Sequence, residues 1–161
     1  MTYCRTTDDA CCLRPARDSD ADALTELAAR SEAYWGYDEA FMARFRELYR
    51  ITPEYLAANP TFILERGEAP VGFFSILPLE SPVELEYFYV APEEIGKGVG
   101  RLLWNHLCRY CAETGISVAE WVTSPPAEAF YLRMGALRCG QVTSTINGRL
   151  LPRLTFDFSR P

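Results

Sequence analysis

The stretch V-A-P-E-E-I-G-K-G-V-G-R-L-L-W, Val90–Trp104, decides how this chain is read. Three alternating glycines, Gly96, Gly98 and Gly100, stand between the end of an apolar, strand-like run and the start of a helical one. A strand, a tight turn and a helix in that order leave unpaired main-chain N–H groups at the helix start, and glycines let a bulky anion approach them. Two readings compete here: a phosphate cradle, or simply a tight crossing from strand to helix. The nucleotide templates do not fit. Gly96-Lys97-Gly98 lacks the spacing of a Walker A lysine, and the three glycines do not give G-x-G-x-x-G.

The flanks extend the pattern. Upstream, V-E-L-E-Y-F-Y-V after Pro82 alternates as a strand, with Glu84, Glu86, Phe88 and Val90 expected on one face and Leu85, Tyr87 and Tyr89 on the other. Downstream, Val99, Leu102, Leu103, Leu107, Tyr110 and Cys111 keep the spacing of one helix face, which Gly115 ends. Before the strand, T-F-I-L-E-R and V-G-F-F-S-I-L flank Gly67-Glu68-Ala69-Pro70 as an antiparallel pair.

The amino-terminal third reads as a short strand near 12–16 and a helix capped by Asp18 or Ser19 that carries Leu24, Leu27 and Ala28 inward. Trp35-Gly36-Tyr37 interrupts it. A second helix follows, capped by Asp38, with Phe41, Met42, Phe45 and Leu48 as its buried stripe, then a short third from Thr52-Pro53 to Asn59-Pro60. The carboxy-terminal part gives a strand at S-V-A-E-W-V and a short helix that opens at Pro125-Pro126, runs through Phe130, Tyr131 and Met134, and stops at Gly135. Two last strands near 137–145 and 150–158 flank Asn147-Gly148, a dipeptide favoured in tight hairpins. The sum is one mixed α/β domain, residues 11–161, of about seven strands and about four helices behind a loose tail at 1–10.

Composition narrows the function classes. A chain of 161 residues, 48% hydrophobic and 24% charged, builds one ordinary globular core. No apolar run approaches the roughly eighteen residues of a membrane span, and M-T-Y-C-R-T-T-D-D-A lacks the apolar core of a secretory signal, so the expected location is cytoplasmic. A net charge of −6 speaks against nucleic acid and favours a cationic small molecule. The six cysteines read as free thiols. Cys108 and Cys111 form a lone CxxC inside a helical pattern, with His106 too close for a usual zinc spacing, and no metal is expected.

V-A-P-E-E-I-G-K-G-V-G-R-L-L resembles the coenzyme A signature of the GNAT superfamily, the acetyl-CoA-dependent N-acetyltransferases: Arg or Gln, two residues, Gly, one residue, Gly or Ala. The register falls on Ile95, Gly98 and Gly100. The similarity extends to L-R-P-A-R-D-S-D near the start and P-A-E-A-F-Y-L-R-M-G-A near the end, and residues 12–158 follow the family's element order. Three positions depart: Ile95 replaces a cation or amide, Ser124 a frequent Asn, and Ala136 a frequent Phe. Main-chain N–H groups and the helix end need no particular side chain at Ile95, and Ser124 keeps a hydrogen-bonding group.

The resemblance implies a central, mostly antiparallel sheet whose fourth and fifth strands splay apart, with acetyl-CoA as cosubstrate and no metal. It implies coenzyme contacts at Phe88, Tyr89 and Val90 and along Ile95, Gly96, Lys97, Gly98, Val99, Gly100, Arg101 and Ser124. Acyl transfer to an amine needs a base, a polarised thioester carbonyl and an acid for the departing thiolate. By family position, Glu84 is a candidate base, Glu86 on the same face is the other, and Tyr131 matches the tyrosine that protonates the coenzyme sulfur. Trp35, Tyr37 and Phe41 are candidates for the acceptor pocket. The expected reaction is acetylation of a primary amine of a small molecule or peptide. A longer acyl donor is a variant of that reading, and a coenzyme A-binding sensor or partner-binding module on the same fold is the alternative. Aromatic residues on the last strands, if exposed, offer a face for pairing two copies.

Overall fold

The computed structural model describes residues 11–78 and 81–160; the expected tail, with Cys4, and part of the loop after residue 78 lie outside them. Among the described residues one seven-stranded sheet is built from β1 (Cys11–Pro15), β2 (Thr61–Arg66), β3 (Ala69–Leu77), β4 (Val83–Val90), β5 (Val118–Val122), β6 (Leu137–Thr143) and β7 (Leu150–Asp157). The order is β1-β2-β3-β4-β5-β7-β6, and every pairing is antiparallel except β4 with β5. The helices are α1 (Ala21–Ala33), α2 (Glu39–Leu48), α3 (Pro53–Ala58), α4 (Val99–Thr114) and α5 (Pro125–Arg133).

The helices cover both faces of the sheet. Leu64, Phe74, Leu85 and Trp121 pack with Leu103, Leu107 and Tyr131 of α4 and α5, whereas Ile63, Phe73 and Tyr87 pack with Leu24, Leu27 and Ala28 of α1 and with Leu56 of α3. Phe73 and Phe74 are neighbours in the chain, point to opposite faces and are both fully buried, which is why β3 reads as a continuous apolar run.

Local chemistry sets most of the boundaries. Asp38 accepts from the Phe41 N–H at 2.8 Å, capping α2 as expected, and at the expected start of α3 Thr52 accepts from the Tyr55 N–H at 3.1 Å. At α1 the expected Asp18 or Ser19 cap is replaced by a 3-10 turn, Asp18–Asp20, and the Asp20 carboxylate binds Arg14 at 2.8 Å and the Arg17 N–H at 2.7 Å. Leu48 is 46% exposed, off the expected stripe, and on α4 Trp104 is buried where Leu102 was expected. The β6–β7 connection is a four-residue loop closed by the Ser144 N–H on the Arg149 carbonyl, longer than a tight Asn-Gly turn. Phe156 of the last strand and Phe158 just beyond it pack inward on Trp104, at ring distances of 5.1 and 6.4 Å, so these aromatics form no outer pairing face.

The decisive feature is the partnership of β4 with β5. Among the described residues only Val83 with Ala119 and Glu84 with Glu120 are paired, after which the strands part and the edge of β4 from Leu85 to Val90 has no strand partner on that side. β4 also carries a bulge: Ser75 faces Tyr87 and Ile76 faces Leu85, leaving Glu86 as the extra residue. This corrects the expected alternation. Leu85, not Glu84, shares the α4 and α5 side with Phe88 and Val90.

Candidate active site

The gap between β4 and β5 is a cleft of about 470 Å3. On one face of the sheet it is walled by the loop and start of α4 (Ile95, Gly96, Gly98, Gly100, Arg101) and by the segment into α5 (Thr123, Ser124, Phe130, Tyr131, Arg133). α1, from the other face, contributes Ser31, Glu32 and Trp35, and β4 supplies Leu85, Glu86, Phe88, Tyr89 and Val90.

The loop end suits an anion. Gly96 and Gly98 have φ of +81° and +87°, a left-handed backbone that L side chains rarely adopt, and a methyl added at either would meet nothing within 4 Å. Gly98 is the N-cap of α4; no side chain caps that end and its first turn holds no acid. The leading N–H groups of the helix, with its positive dipole end, are therefore left for a ligand, and Arg101 adds a full charge. Gly100 has a separate reason to be bare: a Cβ there would come 3.1 Å from the Phe130 ring.

The α1 end is acidic. Glu32 is only 7% exposed, and burial pushes its carboxyl up to about 7, against the opposing pull of the Arg149 charge and of the Tyr89 hydroxyl beside it. Glu86 is also raised, chiefly by burial and further by Glu84. Tyr131 is buried between Trp121, Phe130 and Phe88 at ring distances of 5.2, 5.2 and 5.7 Å. Burial raises its phenol, the Glu32 charge adds to that, and a hydrogen bond with the Thr123 side chain works the other way. A tyrosine so held stays protonated and is a proton donor. Trp121 Nε1 beside it is buried with no hydrogen-bond partner among the described residues.

The sequence comparisons agree with this geometry. The acetyltransferase (GNAT) family model matches residues 22–136. The chain belongs to the GNAT acetyltransferase family. No curated protein matches it. Among solved structures, a GCN5-related N-acetyltransferase from Rhodopseudomonas palustris is similar at 24% identity, over 90% of this chain and 94% of its own, with a TM-score of 0.73. The ribosomal-protein-S18-alanine N-acetyltransferase from Escherichia coli matches at 16% identity, 94% and 96% coverage and TM-score 0.71. The PaiA N-acetyltransferase from Thermoplasma acidophilum, solved with coenzyme A, matches at 18% identity, 89% and 97% coverage and TM-score 0.68. At these identities the likeness is one of fold.

Within this GNAT fold the expected site residues separate. Phe88, Tyr89, Val90, Ile95, Gly96, Gly98, Gly100, Arg101, Ser124, Tyr131, Glu86 and Trp35 all reach the cleft wall. Ser124 precedes α5 without using its hydroxyl as a cap, which leaves that group uncommitted to the helix. Lys97 is exposed outside the wall, and the Val99 side chain is buried in the core, so that position offers only its main chain. Glu84 does not line the cleft; Arg153 Nη2 holds it at 2.9 Å. Tyr37 and Phe41, stacked at 4.2 Å, line a second hollow of about 310 Å3 with Arg44, Ile146 and Asn147 instead.

Glu32 was not among the expected residues. Its signal is present nonetheless, since Leu24, Ala28 and Glu32 follow at four-residue steps, so a glutamate continues the buried stripe of α1. Among the described residues no cluster of His, Cys, Asp and Glu has the make-up to hold a metal ion, and no helix is long and apolar enough to cross a membrane.

Proposed function

We propose that this protein transfers the acetyl group of acetyl-CoA to a primary amine by direct attack of the amine on the thioester. The observation that carries the reading is the unpaired stretch of β4, which opens a single cleft running from an uncapped glycine loop to a buried Glu32 and Tyr131.

The residues present fit that donor. The free N–H groups at the start of α4, with Arg101, suit the pyrophosphate, and the unpaired main chain of β4 suits the amide-bearing pantetheine arm between Phe88 and the Ser124 hydroxyl. Glu32 is the proposed base. A carboxyl near 7 is substantially ionised at neutral pH and still basic enough to take a proton from an ammonium group. Glu86, raised but lacking such a neighbourhood of opposing charge, supplies a second negative charge to the acceptor end.

The proton balance is complete with two residues. The ammonium gives one proton to Glu32, which returns it to solvent. The C–N bond then forms as the C–S bond breaks, Tyr131 donates its phenolic proton to the departing sulfur, and the second amine proton restores the phenol. Water is limited by the apolar wall of Phe88, Trp121 and Phe130. The acceptor is a small molecule or peptide end that reaches the cleft from the α1 side.

The test is thiol release from acetyl-CoA in the presence of a panel of primary amines, with the acetylated product identified by mass spectrometry. Amine-dependent release with a matching product is expected. Acetyl-CoA binding without turnover of any amine would overturn the proposal in favour of a coenzyme-binding module.

A further inference from the structure

We infer that Glu94 and Arg66, neither of which lines the cleft, are positioning residues for the glycine loop: their ion pair holds the turn in the shape that binds the diphosphate end of the donor. This rests on the acetyl-CoA reading of the cleft and adds to it what sets donor affinity.

Glu94 stands where β4 has ended and the loop begins. The chain leaves β4 through a main-chain bond from the Ala91 N–H to the Val71 carbonyl of β3, at 2.8 Å, and passes through a short 3-10 segment, Pro92–Glu94. The Glu94 carbonyl then accepts from the Lys97 N–H at 3.2 Å. This bond closes a turn whose two corners are Ile95, at φ −65° and ψ 132°, and Gly96, at φ +81°. It is a type II turn, which needs a left-handed residue at its second corner. Ile95 and Gly96 both line the cleft, and Gly98, the N-cap of α4, follows two residues later. Glu94 is thus the fixed end of the cradle, and a shift of its backbone re-aims the turn.

What fixes Glu94 is its side chain. The residue is only 8% exposed, and its Oε1 accepts from Nη1 of Arg66, the last residue of β2. The pair ties the loop to a strand two places from β4 in the sheet, independently of the main-chain bond to β3. Glu94 Oε2 is buried with no hydrogen-bond partner among the described residues. A buried carboxylate met on one oxygen adds little net stability, so the pair's effect is to specify where the turn sits. The preceding residue provides the contrast. Glu93 pairs with Arg30 of α1 at 3.1 Å with both side chains exposed, an arrangement that holds weakly.

Two other accounts compete: the pair only stabilises the fold, or it acts on the donor by charge alone. Charge and position predict opposite signs at Glu94. Removing a negative charge near an anion site tightens binding on grounds of charge, whereas removing the group that holds the turn weakens it. Calorimetric titration of acetyl-CoA into the native protein and its variants reads this, and it reports Kd separately from the fraction of protein competent to bind. Glu94→Gln should weaken Kd by about tenfold, the scale of one hydrogen bond to a charged group. Arg66→Lys, which keeps the charge but loses the planar fork, should weaken it by a smaller factor. Glu93→Gln removes the same charge one position earlier and should bind no more weakly than the native protein. At saturating acetyl-CoA, kcat of Glu94→Gln with the best amine of the panel should match the native value. An unchanged or tighter Kd in Glu94→Gln, with or without a lower Tm or kcat, would overturn the inference while leaving the acetyl-CoA reading standing. Equal weakening in Glu93→Gln would do the same. A native protein that does not bind acetyl-CoA would remove the reading and the inference together.

Discussion

Arg153 Nη2 lies 2.9 Å from Glu84 Oε2 and 3.0 Å from Glu120 Oε2, so one guanidinium bridges the two acids that face each other at the last paired position of β4 and β5. The bridge spans β4, β5 and β7 and closes the sheet where the cleft begins. An acid engaged this way is a clamp, which separates Glu84 from the chemistry that its place in the sequence suggested.

Glu84→Gln should therefore leave the pH dependence of kcat/KM unchanged and cost about 1 kcal/mol of stability, a fall of a few degrees in Tm, because the pair is partly solvated and Glu120 remains to Arg153. Loss of the acidic limb of the pH–rate profile in this variant would instead return Glu84 to the role of base.

Glu32 carries the opposite expectation. With its carboxyl at about 7, activity should rise with pH through that value and then level off, and Glu32→Gln should lower kcat/KM by about a hundredfold and abolish the limb. Stability should move the other way. The folded carboxyl is raised above its ordinary 4.5, so the protonated form is the one the fold favours: its contribution is complete below pH 4.5 and is lost as pH rises through 7. At pH 8 the amide variant should thus be more stable than the native protein, by on the order of 2 kcal/mol. Denaturant unfolding at pH 5 and pH 8 checks this; a variant that is less stable at both would contradict it.

Tyr131→Phe removes only the phenolic oxygen from a ring packed against Trp121, Phe130 and Phe88. It should lower kcat by about a hundredfold with the Kd for acetyl-CoA nearly unchanged. Weakened coenzyme binding together with an unaltered kcat would make Tyr131 a binding residue rather than the acid.

Gly98→Ala forces a side chain onto a backbone with φ of +87° at the N-cap of α4. The conformational cost of about 1–2 kcal/mol should shift the loop away from the geometry that the ligand needs and so appear as a weaker Kd for acetyl-CoA. Calorimetric titration of acetyl-CoA into the variant should show at least a tenfold loss, on the order of 1.4 kcal/mol, and unimpaired binding would mean that the loop is no cradle.

How much of this was legible in the sequence depends on range. The glycine loop, the α4 helix with its Gly115 stop, the Asp38 cap, the Thr52-Pro53 helix start and the element order follow from local spacing, and local chemistry sets them in the fold. The splay of β4 from β5 came through the family resemblance, not through any residue pattern. What failed was period-two reading across Glu86, because the bulge is created by the register of β3 against β4, and a single strand does not display its partner's register. The same limit hid the engagement of Glu84, since its partner Arg153 lies sixty-nine positions away on β7. Glu32 was hidden differently. Its helical spacing marks it as buried, but nothing in α1 alone shows that the stripe ends at a cleft with Tyr89 and Tyr131 around it.

The central claim is that the cleft opened by β4 and β5 receives acetyl-CoA, and thermal unfolding with and without acetyl-CoA, with ATP and NAD as controls for general anion binding, tests it most directly. At a hundred times its Kd the ligand should add about 2.7 kcal/mol and raise Tm by several degrees, with little response to either control. An unchanged Tm across a wide range of acetyl-CoA, or an equal shift with all three compounds, would contradict it.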